Sequence, residues 1–144
     1  MQAAKKRLIR QENLVVVSNS MDDYLNGKRV LLVGANEVDE MLLRYMVVEH
    51  GGTLNVVTSE DAMRRTLSTS RYDLILMNSR LGNENSIGIL KRLNADALVK
   101  APVIAISSND MKGRGKHNGF AHIMHRPLEK KNMLEALSNV VKAG

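Results

Sequence analysis

The feature that most constrains this chain is a repeated switch of hydrophobic period after residue 28. Arg29-Val30-Leu31-Leu32-Val33 is apolar at every position after the first. A strand covered on both faces reads this way, because neither face meets water. The next apolar residues, Val38, Met41, Leu42, Tyr45 and Met46, recur at helical spacing. Asn36 stands where an N-cap is needed, and Gly51-Gly52 stops the helix.

The same alternation returns three more times. Residues 53–57 predict a strand, and Thr58 with Asp61 three residues later resembles a capping box before Ala62, Met63 and Leu67. Asp73-Leu74-Ile75-Leu76-Met77 is the most apolar strand, followed by a polar loop over 78–85 and a helix carrying Ile87, Leu90 and Leu93. Pro102 opens Val103-Ile104-Ala105-Ile106, again a buried strand by composition. Residues 107–119 hold Gly113, Gly115 and Gly119 and few apolar side chains, a poor helix, so the fourth helix is expected to be shortened or absent. Residues 121–124 predict a fifth strand, and Leu128, Leu134, Leu137 and Val141 a final amphipathic helix. Strands alternating with helices imply an α/β fold, a doubly wound five-stranded parallel sheet with helices on both faces.

Residues 1–27 do not join the pattern and are read as an N-terminal extension or linker. Residues 3–10 suit a short basic helix and 14–17 an apolar patch, while 18–26 resemble a linker. Such a segment is either a tail or a docked helix or dimerisation arm.

Composition narrows the function classes. The 144 residues suit one domain, and the absence of cysteine removes disulfide scaffolds, zinc ribbons and thiol nucleophiles together. No apolar run approaches a membrane span and the basic start lacks a signal-peptide pattern, so a soluble cytoplasmic domain is expected. The net charge of +6 is unevenly spread, with an excess of one in residues 1–27, one in 28–107 and four in 108–144. A basic patch steers association with acidic partners. Only 3% of residues are aromatic, which leaves scarcely any base-stacking platform, so nucleic acid is an unlikely partner.

In an open parallel sheet, chemistry belongs at the carboxyl ends of the strands. Gly34-Ala35-Asn36 follows a strand and opens a helix, yet supplies only the first glycine of a dinucleotide fingerprint, and Glu37, Asp39 and Glu40 would oppose a pyrophosphate there. Gly27-Lys28 precedes its strand and makes no phosphate loop. His117, His122 and His125 have only Asp110 as a nearby acid, and 122 and 125 point to opposite faces of a strand, so no metal site is expected. No Ser/His/Asp arrangement is identifiable.

Residues 28–144 resemble the receiver domain of two-component response regulators and hybrid histidine kinases. The resemblance rests on Gly27-Lys28-Arg29-Val30-Leu31-Leu32-Val33, Tyr72-Asp73-Leu74-Ile75-Leu76-Met77, Pro102-Val103-Ile104-Ala105-Ile106-Ser107 and Arg126-Pro127-Leu128, in the order and approximate spacing of that family's blocks. It implies a flavodoxin-like fold of receiver topology. It also implies a degenerate phosphorylation site. The family's acidic metal pair is matched by Gly34 and Ala35, whose side chains cannot ligate a hard cation, so no Mg²⁺ cofactor is expected. The phosphoacceptor aspartate is matched by Asn78, whose amide is not an anionic nucleophile. The hydroxyl residue is matched by Ser107, the lysine by Arg126, the aromatic switch residue by Ile123, and the proline after the acceptor loop by Gly82.

The expectation is therefore a non-enzymatic pseudo-receiver, a regulatory interaction module in phosphorelay signalling, free-standing or within a hybrid histidine kinase. A histidine kinase or other phosphorelay protein is the expected partner, and a second copy of the chain is a further candidate. The family's habitual contact surface is here also the basic one, with Lys112, Arg114, Lys116, Ile123, Lys130 and Lys131 as candidate contacts. Two other readings are a sensor of an anionic nucleotide such as a cyclic dinucleotide, using Arg114 and Arg126, and a receiver phosphorylated at a displaced acid, Asp39 or Asp73. In the empty site, Arg126 is expected to turn inward and donate to the Asn78 side-chain oxygen or a nearby carbonyl, standing in for the metal's charge.

Overall fold

The computed structural model of the chain describes residues 24–108 and 119–143. Five strands, β1 (Arg29–Val33), β2 (Thr53–Val57), β3 (Leu74–Asn78), β6 (Val103–Ser107) and β7 (His122–His125), form one sheet of order β2-β1-β3-β6-β7 in which every neighbouring pair is parallel. This is the doubly wound, flavodoxin-like order expected from the sequence. A two-stranded ribbon of β4 (Arg80–Leu81) and β5 (Glu84–Asn85) lies in the loop expected over 78–85. The described helices are α1 (Glu37–Glu49), α2 (Glu60–Thr69), α3 (Ser86–Ala95) and α4 (Lys130–Ala143). The expectation of a shortened or absent helix over 107–119 falls mostly outside the described residues.

Strand alternation divides the core into two layers. Val30, Leu32, Leu74, Leu76, Ile104 and Ile106 face α1 and α4, where they meet Leu43, Met46, Val47 and Leu137. Leu31, Val33, Ile75, Met77, Val103 and Ala105 face the other way, toward Met63 of α2 and Ile89, Leu90 and Leu93 of α3. With both faces filled, each Val, Leu, Ile or Met on the strands contributes about 1.5–3 kcal/mol of transfer free energy, and the unbroken apolar runs become necessary.

Three local readings need correction. Helix α2 is capped by Ser59, whose hydroxyl accepts from Ala62 N–H at 3.1 Å, rather than by Thr58. Helix α1 does start from Asn36, whose side chain accepts from Asp39 N–H at 2.8 Å. Yet of the residues read as its apolar stripe, Val38, Met41 and Tyr45 are exposed, and burial falls on Leu43, Met46 and Val47. The helix carries apolar residues on two sides, and period alone does not choose between them. The packed chain also begins before residue 28. Leu25 is fully buried and its N–H donates to His50 O at 3.1 Å, while the Tyr24 ring lies 5.1 Å from the His50 ring. Gly51 makes this possible: at φ +93° a Cβ there would stand 2.8 Å from Asn26 Cα.

Helices α2 and α3 are joined by charge. Arg92 reaches Glu60 at 2.6 Å and Glu84 at 2.7 Å, and Arg64 reaches Glu60 at 3.2 Å and Asp96 at 2.7 Å. The Arg92 guanidinium holds the Glu60 and Glu84 carboxyls below their ordinary range, and Arg64 adds to the effect at Glu60.

Candidate functional site

Four strands end together at one pole of the sheet, and the positions singled out in the sequence meet there. Gly34 follows β1, Asn78 ends β3, Ser107 ends β6 and Arg126 follows β7. Gly34 adopts φ +78°, and a Cβ on it would lie 2.6 Å from Leu81 Cδ1 and 3.6 Å from Asn78 Cβ. Its backbone thus favours glycine twice over, by conformation and by space. A carboxylate is absent at this position, and the surrounding structure has closed over the place where it would project.

Asn78 is held at both ends of its amide. Its Nδ2 donates to Gly34 O at 2.9 Å, and its Oδ1 accepts from Arg126 Nη2 at 3.1 Å. Ser86 Oγ, in the first turn of α3, donates to the Asn78 carbonyl. The inward turn of Arg126 expected from the sequence is found, with the Asn78 side-chain oxygen as one acceptor.

The strongest partner of Arg126 is Asp39, which the sequence offers only as a displaced acceptor. Arg126 Nε donates to Asp39 Oδ2 at 2.7 Å, and Arg126 Nη1 donates to Ser108 Oγ at 3.3 Å. The Asp39 side chain is 7% exposed and that of Arg126 20%, so the pair is largely withdrawn from water. Asp39 occupies the first turn of α1, where the helix dipole favours a carboxylate. A signal did exist: an arginine beside strand ends that have lost their acids needs a counter-ion, and Asp39 sits three residues beyond the Asn36 cap, where a helix turns one side chain back toward the sheet. The resulting cluster of guanidinium, carboxylate and amide carries no formal net charge, and each guanidinium nitrogen donates to a side-chain oxygen, of Asp39, Asn78 or Ser108.

The remaining candidates are scattered. Ser107 is fully buried, and its carbonyl accepts the Arg126 N–H at 2.8 Å. Ile123 pairs with Ala105 in the sheet and packs, half-buried, against the α2/α3 layer. Lys130 and Lys131 are exposed in the first turn of α4. Lys112, Arg114, Lys116, His117 and Asp110 lie outside the described residues. Asp73 stands at the opposite pole, where its carboxylate accepts the Arg29 N–H at 2.8 Å. Among the described residues, no group of three His, Cys, Asp or Glu side chains is placed to hold a metal ion, and no helix is long and apolar enough to cross a membrane.

No family model matches the chain, and no curated protein matches it. Solved structures do. The chain is similar to the receiver domain of sensor histidine kinase PA1611 from Pseudomonas aeruginosa PAO1, which has a magnesium ion coordinated in its active site cleft. The identity is 22% and the TM-score 0.68, over 81% of this chain and 98% of that one. The receiver domain of the TMAO respiratory system response regulator TorR matches at 18% identity and TM-score 0.70, over 81% and 98%. Full-length ShkA in complex with AMPPNP matches at 23% identity and TM-score 0.66, over 87% of this chain but 27% of that one. At such identities the likeness is one of fold, and the fold is that of a receiver domain.

Proposed function

We propose that this chain is a signalling module of receiver fold that accepts no phosphate and works by binding a histidine kinase or another phosphorelay protein. One observation carries the reading: at the pole where a receiver does its chemistry, the Asn78 amide is tied to Gly34 and Arg126, and Arg126 is neutralised by Asp39. An amide offers no nucleophilic oxygen anion, and Gly34 and Ala35 offer no side-chain ligand for the cation that would balance an incoming phosphoryl group. The charge that would greet such a group is already compensated within the protein.

Asp39 and Asp73 are poor substitutes as acceptors, the first buried in an ion pair and the second at the wrong pole. The anionic-nucleotide reading is weakened because Arg126 is committed to Asp39, Asn78 and Ser108. The proposed binding surface includes Lys130 and Lys131. Two cations in the first turn of a helix oppose its dipole, a local cost that a contact with an acidic partner surface would reverse.

The test is phosphotransfer. Incubation with Mg²⁺ and a small phosphodonor is expected to leave the amide spectrum around Asn78 unchanged and to form no acyl phosphate. Asn78→Asp alone is expected to stay unphosphorylated, since the cation still lacks ligands at 34 and 35. Acyl phosphate in either protein overturns the reading.

A further inference from the structure

Helix α1 presents a second apolar stripe that the fold does not use. Val38, Met41, Tyr45 and Val48 follow one another at spacings of three, four and three residues and are 61%, 65%, 60% and 57% exposed. An amphipathic helix ordinarily has one apolar side, and here that side is spent on Leu43, Met46 and Val47 in the core. Four large apolar side chains in line on the opposite side mark a surface that something covers.

The chain itself brings a candidate to this surface. The Tyr24 ring packs tilted against His50 and Leu25 N–H donates to the His50 carbonyl, so the described chain begins at the C-terminal end of α1. The residues before Tyr24 have matching chemistry. Lys5, Lys6, Arg7 and Arg10 surround Leu8 and Ile9, and residues 14–17 are Leu-Val-Val-Val. The rim of α1 carries Glu37 in its first turn, Glu49 in its last and Glu40 between them, with exposed Arg44 at 3.1 Å from Glu40, which leaves an acidic excess of two. Reach is ample. Residues 14–17 precede Tyr24 by seven to ten positions, up to about 23–33 Å of extended chain, whereas α1 is about 20 Å long. A second copy fits less well, because two α1 faces would each bring the same net negative charge.

We propose that the basic, apolar segment before Tyr24 lies along the outer face of α1. In this arrangement residues 14–17 cover Tyr45 and Val48, and the basic run of Lys5, Lys6, Arg7 and Arg10 faces Glu37, since Glu40 is already paired with Arg44. The N-terminal extension is then a cover for an apolar surface of the same chain.

The absence of native cysteine permits a clean test in the full chain. A nitroxide attached at Gln11→Cys is expected to erase most of the amide intensity of Val38, Met41, Tyr45 and Val48 while sparing α2 and α3. In a mixture of labelled, NMR-silent chains with unlabelled, isotope-enriched ones, the same signals are expected to stay intact. Lys5→Glu/Lys6→Glu/Arg7→Glu/Arg10→Glu, and separately Val48→Asp at an exposed position, are expected to abolish the broadening without changing the core shifts. Broadening in the mixture means that a second copy covers α1 and overturns the proposal. Broadening that is absent from α1, or that survives both sets of substitutions, overturns it as well.

Discussion

Two clusters in this molecule are built from the same chemistry, arginine against carboxylate, and differ in where they stand. The Arg92 network binds α2 to α3 on the surface, with side chains of Arg92 and Glu84 each 46% exposed. The Arg126–Asp39 pair is 20% and 7% exposed and joins residues 87 positions apart, at the pole where strand ends converge. Exposed pairs are weakened by water and salt. A withdrawn pair is different, because each member has given up its hydration and depends on the other. The surface network therefore adds only a little stability, while the withdrawn pair fixes the shape of the site.

The sharpest way to break this contrast is to strand one member of the withdrawn pair. Arg126→Ala or Asp39→Ala is expected to cost about 3 kcal/mol, the low end for breaking a buried pair, or roughly 6–12 °C in melting temperature. Asp39→Leu/Arg126→Met is expected to recover part of that loss, since no charge is left unpaired, although Asn78 Oδ1 then lacks a donor. Single variants that melt with the parent protein would remove the distinction between the two clusters.

A smaller effect is expected at the surface. Arg92→Ala should lower the melting temperature less than either variant of the pair, and the difference from the parent should shrink in molar salt. Because Arg92 depresses the Glu60 and Glu84 carboxyls, their contribution is present above the unfolded carboxylate pKa and lost as pH falls through the lower folded value. Acid titration of the melting temperature should therefore be flatter in Arg92→Ala than in the parent.

The least effect at neutral pH is expected at Tyr24, whose hydroxyl is buried without a hydrogen-bond partner among the described residues. Burial pushes this hydroxyl up to about 12. Its contribution is complete below the unfolded value of about 10 and lost as pH rises toward 12. Tyr24→Phe is expected to be neutral or to stabilise by about 1 kcal/mol at pH 7, and to remove that alkaline loss. Destabilisation at pH 7 would overturn this, since it would require the hydroxyl to have a hydrogen-bond partner outside the described residues.

Much of the frame was legible because it depends on local pattern. Val30 to Val33 and Val103 to Ile106 had to be strands buried on both faces, and Asn36 had to cap a helix. The loss of acids at Gly34, Ala35 and Asn78 was equally plain. Less legible were features with two local solutions. Thr58 and Ser59 are both competent caps, and only backbone direction chose Ser59. Leu25 lay in a polar stretch, and its burial depends on Gly51 yielding space to Asn26.

The sequence by itself determined an alternating α/β chain with a site stripped of its carboxylates, because periodicity and residue chemistry are properties of neighbours along the chain. Tertiary structure decided which side of α1 is buried and which acid answers Arg126. Both depend on how α1 is rotated against the sheet. That rotation is set by Leu43, Met46 and Val47 packing on strands and on α4, and it carries Asp39 inward to a guanidinium 87 residues away.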